Sequence, residues 1–260
     1  MCDIKTGTCG YDYVDWQGSF YPEGLQRDQF WVFYSRRFDT VEINSTAYMM
    51  PDTHKLMSMC DQAGGDMDFS LKAHEAFLRD IGSNEWQRAV DEYAESVFPL
   101  VESGRLSSVL LRVPGDFEYT PENRRHIDML IRRIGPLPLT VEFQNRLWLN
   151  RRVFEELRKR AVGFCCVDAP RAGGAGPCVD IVTSDVAYVR FYGRNENGWW
   201  GSDTAARFDY DYSERELKGW ADRIRAMGTE AKKIRVYFNN HHRGQAAGNA
   251  LMMKEILDKE

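Results

Sequence analysis

Two glutamates occupy matching places in two similar segments, Thr40-Val41-Glu42-Ile43-Asn44 and Thr140-Val141-Glu142-Phe143. Two carboxylates in unlike surroundings can have their pKa values pushed apart, giving one proton donor and one acceptor. Glycosidic hydrolysis is one use of such a pair, and the carboxyl separation then selects retention or inversion. The competing role is structural, as anchors for a cation. Lys72 in Phe69-Ser70-Leu71-Lys72, Arg112 in the run 107–113, and Arg190 in Val189-Arg190-Phe191-Tyr192 are the available partners. Lys72 also has chemistry of its own, since a desolvated amine serves as a general base or forms a Schiff base. Carboxylates nearby favour a salt-bridged or substrate-binding lysine instead. The arginines suit bidentate recognition of a carboxylate or phosphate, and Asn44, Asn239 and Asn240 add neutral donors and acceptors.

Other side chains enter with two readings each. The segment Gly193 to Tyr212 carries Trp199, Trp200, Phe208, Tyr210 and Tyr212 among polar residues. Such rings either stack on a sugar or base, as a lid over a site, or pack the loop onto a rim. Cys9 falls where a nucleophile acts, but without a histidine clearly beside it a small packed thiol is the expectation. Cys165 and Cys166 are expected to fill a sheet. The stretch Arg171 to Pro177 is glycine-rich but lacks a following Gly-Lys-Ser/Thr, so it reads as a loop rather than a phosphate cradle. His54, His74, His126, His241 and His242 show no zinc-site spacing. No cofactor is expected, although Glu42, Glu142 and Asp168 leave a single magnesium ion open.

These residues need elements to position them. Side chains alternate across a strand, so each of these segments has one apolar and one polar face. Strands are expected at about 4–9, 39–44, 67–72, 107–113, 139–143, 162–168, 187–192 and 234–239. Helical patterns lie between most of them. Thr120-Pro121 opens one that runs through Ile134 to a stop at Gly135; Ser213 to Glu216 reads as a capping box for another, ending at Gly228. Glu85 to Ser103, with Pro99 inside, and Asn150 to Ala161 are further helices. Alternating strands and helices argue for a parallel sheet covered on its apolar side. A (β/α)8 TIM-like barrel of the α/β class, one domain over 1–260, fits the 260 residues. The polar faces are then expected at the barrel mouth.

Composition narrows the function classes. With 43% apolar and 28% charged residues the chain can bury one large core. A formal net charge of -5 disfavours a general nucleic-acid binder. No apolar run approaches a membrane span. The first residues lack the pattern of a signal peptide, and six cysteines without a Cys-x-x-Cys pair do not form a disulfide framework. A cytoplasmic protein with reduced thiols is expected, its oligomeric state open.

Several motifs add a resemblance. Thr6-Gly7-Thr8-Cys9-Gly10-Tyr11, Phe20-Tyr21-Pro22, Thr40 to Thr46, and Tyr237-Phe238-Asn239-Asn240 followed by Gly244, Asn249 and Ala250 together resemble the YecE-like family. The resemblance spans about residues 4 to 257 and implies a TIM-like barrel without an established reaction. It draws Tyr48 and Trp148 into the candidate binding set. The chain departs from the family pattern at Cys9, Tyr11, Ala47, Gln144-Asn145 and Tyr192. The leading expectation is an enzyme using acid/base chemistry on a small sugar-like or anionic substrate, carrying phosphate or carboxylate. A nucleic-acid-processing barrel resembling endonuclease IV and a non-catalytic ligand-binding barrel are the alternatives.

Overall fold

Every segment of alternating polarity forms a strand in the computed structural model, which describes residues 2–79, 81–170, 179–196 and 204–259. The strands are β1 (Asp3–Thr8), β2 (Thr40–Ile43), β3 (Asp68–Lys72), β4 (Leu106–Val113), β5 (Leu139–Phe143), β6 (Gly163–Asp168), β7 (Val186–Phe191) and β8 (Lys233–Phe238). All neighbours run parallel, in the order β1-β8-β7-β6-β5-β4-β3-β2. The helices are α1 (Phe30–Ser35), α2 (Thr53–Gln62), α3 (Glu85–Glu102), α4 (Pro121–Ile134), α5 (Arg151–Lys159), α6 (Thr204–Arg207), α7 (Glu214–Met227) and α8 (Gln245–Asp258).

The helix starts follow their capping chemistry. The Thr120 side chain accepts from the Asn123 N–H at the head of α4, and Asn150 does the same from Val153 for α5. Ser213 and Glu216 complete the capping box of α7. Each such cap is worth about 1 kcal/mol. Pro99 sits in the last turn of α3, which continues past it to Glu102.

One strand face packs on the helices. Val41, Phe69, Leu71, Val109, Leu111 and Val141 are almost fully buried there, with aromatic and aliphatic side chains from the helices. Burying each such side chain contributes roughly 1.5–3 kcal/mol. The other face lines the barrel interior, and it carries polar side chains low in the strands as well as at the mouth. Near the N-terminal ends Arg235 grips Asp68, with Nη2–Oδ2 2.5 Å, and reaches Asp3 at 2.6 Å. Lys5 lies 3.2 Å from the same Asp68. Above them, Thr40 Oγ1 donates to Asp68 at 2.6 Å, the Tyr237 hydroxyl to Ser70 at 2.9 Å, and Ser108 to Thr140 at 2.8 Å. The reason is parity itself. Alternation sends every second residue inward along the whole strand, so the lower charges must be satisfied by one another.

β1 and β2 close the barrel differently from the other strands. They meet in a single parallel bridge, Cys9 to Glu42, with the Gly10 N–H donating to the Glu42 carbonyl at 2.7 Å. Below that bridge the backbones crowd together. A Cβ on Gly7 would lie 2.3 Å from the Thr40 carbonyl oxygen, so only glycine fits. The hydroxyl of Tyr34 from α1 then spans the seam. It accepts from the Thr8 N–H at 3.0 Å and donates to the Thr40 carbonyl at 3.1 Å.

Candidate active site

At the C-terminal ends of the strands, Glu42, Glu142 and Arg190 converge. The Arg190 guanidinium is fully buried between the two carboxylates, with Nη2–Glu42 Oε1 at 2.8 Å and Nη1–Glu142 Oε2 at 2.5 Å. The second oxygen of Glu42 accepts from the Tyr188 hydroxyl at 2.8 Å, and that of Glu142 from the Tyr192 hydroxyl at 2.8 Å. Arg190 Nη1 also donates to the Tyr192 hydroxyl. Both carboxylates are therefore committed on both oxygens. Burial opposes ionisation of Glu142, but Arg190 and then Arg112 outweigh it and hold the carboxyl below its usual range. This is the structural-anchor arrangement, and a two-carboxylate glycosidase would need the space that Arg190 fills.

Lys72 ends β3 with a different environment. Its carbonyl is pinned by two hydroxyls, Thr46 at 2.7 Å and Tyr93 at 2.9 Å. Among the described residues its ammonium has neither an ion-pair partner nor a hydrogen bond. Burial, then Arg190, lowers its pKa; Glu42 offsets part of this and Arg112 adds to it. Arg112, on neighbouring β4, touches Glu142 only through Nε at 3.4 Å and is 42% exposed, which leaves its outer edge open. Lys72 and Arg112 line a cavity of about 430 Å³ with Tyr48, Arg79, Leu110 and Phe117. Leu110 belongs to the small apolar cluster inside the barrel, with Cys9, Cys165, Tyr188 and Tyr237, so the cavity floor is the barrel interior. The volume suits a small molecule.

Cys9 is a packed thiol. It is completely buried, lies 3.5 Å from Arg190 Nη2, and its pKa is pushed up by burial and then by Glu42. Such a thiol is inert.

A family model described as "Protein of unknown function DUF72" matches residues 5–260. The chain belongs to that family. It is similar to a DUF72 family protein from Thermotoga maritima MSB8 of known crystal structure, at 32% identity and a TM-score of 0.91, covering 99% of this chain and 100% of that one. A DUF72 family protein from Enterococcus faecalis V583 matches at 23% identity and a TM-score of 0.85, covering 99% and 96% of the two chains. The UPF0759 protein YunF of Bacillus subtilis (strain 168) is 27% identical over 272 residues, 99% of this chain and 95% of YunF. The barrel and a family of unknown function, read from the motifs, agree with this membership.

In this DUF72 protein the remaining candidates do not all reach the cavity. Tyr48 does, 70% exposed on its wall. Asn44 is near Tyr13, and its Oδ1 is buried without a partner. Asn239 is buried at the end of β8, on the inward parity of Tyr237. Asn240 turns the other way and holds α8, donating to the Tyr210 carbonyl at 2.8 Å and to Asn249 at 2.7 Å. Asp168 takes the opposite parity from Val167 and pairs with Arg194 at 3.0 Å. Trp148 stacks on Phe143 at 4.8 Å and donates its Nε1–H to the Phe117 carbonyl, facing the groove between α4 and α5 rather than the barrel mouth. Trp199, Trp200 and the glycine-rich stretch 171–177 lie outside the described residues. Of the aromatic segment, Tyr212 is buried and accepts from the Gly193 N–H, and Tyr210 donates to Glu216. Phe208 reaches toward Tyr192.

The magnesium set is dispersed, since Glu42 and Glu142 hold Arg190 while Asp168 holds Arg194. Among the described residues no three His, Cys, Asp or Glu side chains converge on one point. No helix among them is long and apolar enough to cross a membrane.

Sequence reasoning overlooked Tyr188, Tyr192 and Arg79. The first two share the parity of Arg190, so the alternation Tyr188-Arg190-Tyr192 was a usable signal. Arg79 follows a short turn after β3 and had none.

Proposed function

We propose that this protein is an enzyme that admits a small phosphate- or carboxylate-bearing substrate, of about sugar size, to the cavity above β3 and β4 and acts on it through the Lys72 amine. One observation carries the reading: an ammonium sunk in a cavity wall that has neither an ion-pair partner nor a hydrogen bond among the described residues. An unpaired cation in such a place is costly unless a ligand completes it. The open edge of Arg112 supplies a second, planar anchor for the same anion. With its pKa lowered, Lys72 exchanges a proton nearer neutrality than an ordinary lysine. The Glu42–Arg190–Glu142 bridge lies beside these groups and takes up both carboxylates.

Calorimetric titration with inorganic phosphate, citrate and glucose tests the reading. The anions are expected to bind and the neutral sugar not to. Lys72→Met should weaken anion binding roughly 10- to 100-fold, the value of one charged hydrogen bond. Binding of glucose alone, unaffected by Lys72→Met, would overturn the proposal.

A further inference from the structure

We propose that the Lys72 amine forms an imine with the carbonyl group of its ligand, so that the substrate class is a small aldehyde or ketone that also bears an anionic group. This rests on the reading above that the cavity takes an anion, and narrows it.

The geometry separates two tasks. Lys72 is level with Leu110 in the β3–β4 register, and Arg112 stands two residues further along β4 on the same inward face. A ligand anchored by its anionic end on the open edge of Arg112 therefore presents its other end toward Lys72, inside the mouth. The Lys72 stem is fixed at its root by the Thr46 and Tyr93 hydroxyls. Both nearby glutamates are already occupied by Arg190, Tyr188 and Tyr192, so neither carboxylate pins the amine by an ion pair. Burial and the two neighbouring guanidinium groups favour its neutral, nucleophilic form.

The step balances without an oxidant or reductant. The nitrogen lone pair adds to the carbonyl carbon as the C=O π bond opens, and the oxygen takes up a proton. The two protons that the nitrogen loses pass through solvent to that oxygen, the first making the hydroxyl and the second expelling it as water, which leaves the C=N bond. One water leaves for each imine formed, and hydrolysis reverses the step.

The test uses glyoxylate, a small aldehyde carrying a carboxylate, followed by borohydride reduction and peptide mass mapping of the full chain. Lys72 is expected to be trapped at least about 10-fold faster than any other lysine near neutral pH, because ordinary lysines keep their amines protonated there. Inorganic phosphate should suppress that labelling. Lys72→Arg retains a cation but no nucleophilic amine, and should lose the selective adduct. Uniform labelling across lysines, or an unchanged pattern in Lys72→Arg, would overturn the imine. If phosphate binds the wild-type protein through Lys72 but glyoxylate is never trapped there, the imine fails and the anion site stands. If neither ligand binds, both fail.

Discussion

Arg190 and Lys72 face into the same barrel mouth, and among the described residues Arg190 is clasped by two carboxylates while Lys72 is clasped by none. The chain thus spends its acidic side chains on one cation and leaves the other available. That division separates the part of the mouth that holds the barrel together from the part that is open to a ligand. It also makes opposite predictions for the two residues.

Arg190→Met should destabilise the protein by about 3–5 kcal/mol, because it strands two buried carboxylates. Arg190→Lys should recover only part of this, since an ammonium cannot satisfy both carboxylates in one plane. Urea unfolding followed by circular dichroism measures both. A loss well under 1 kcal/mol for the methionine variant would show that the bridge is not structural.

Lys72→Met should leave the melting temperature unchanged or raise it, while anion binding falls. Replacing an unpaired, half-buried ammonium by an apolar chain of similar length removes a desolvation cost and no ion pair. Thermal unfolding checks this. A clear drop in melting temperature would mean that Lys72 has a structural partner.

Acid should act through Glu142. Its folded pKa lies below the ordinary value of 4.5, so the unfolded chain binds the proton more readily than the folded one. The stabilisation is complete above about pH 4.5 and is lost as pH falls through the lowered folded value. Glu142→Gln should lower stability at neutral pH and flatten its decline on acidification. Parallel unfolding curves for the two proteins between neutral and acidic pH would contradict this.

Trp148→Phe keeps an aromatic ring beside Phe143 but removes the donor to the Phe117 carbonyl. A loss of about 1–3 kcal/mol is expected if that carbonyl stays buried and unpaired. Phosphate or citrate affinity should be unchanged. Weakened anion binding in calorimetry would return Trp148 to the ligand site.

Much of this site was legible in the sequence because strand parity is a local property. Glu42, Lys72, Glu142 and Arg190 each follow an outward-facing apolar residue, and each faces inward. Two other candidates do not follow that parity. Asp168 shares the outward parity of Cys166, and Asn240 that of Phe238, so grouping them with the mouth went against the rule that found the others. The pairing was not legible. Which acid Arg190 holds depends on how strands distant in the chain are arranged across the barrel, and no local pattern encodes that. Polar residues low in the strands, such as Arg235 and Asp68, look the same in sequence as those at the top; only their height along the strand separates a structural cluster from a candidate site.

The Tyr34 hydroxyl has a consequence for how this barrel comes together. Elsewhere in the ring neighbouring strands are joined by runs of parallel backbone pairing. Between β1 and β2 the backbone supplies one bridge, and a phenol from the intervening helix supplies the next rung. Closure of the ring at this seam is therefore tied to the docking of α1, which brings that phenol to the gap. Strand order is general to the fold, but the final closure is specific to one side chain. The line from Gly7 to Thr40 is accordingly where the barrel should first come apart, and where its amide protons should first exchange with solvent.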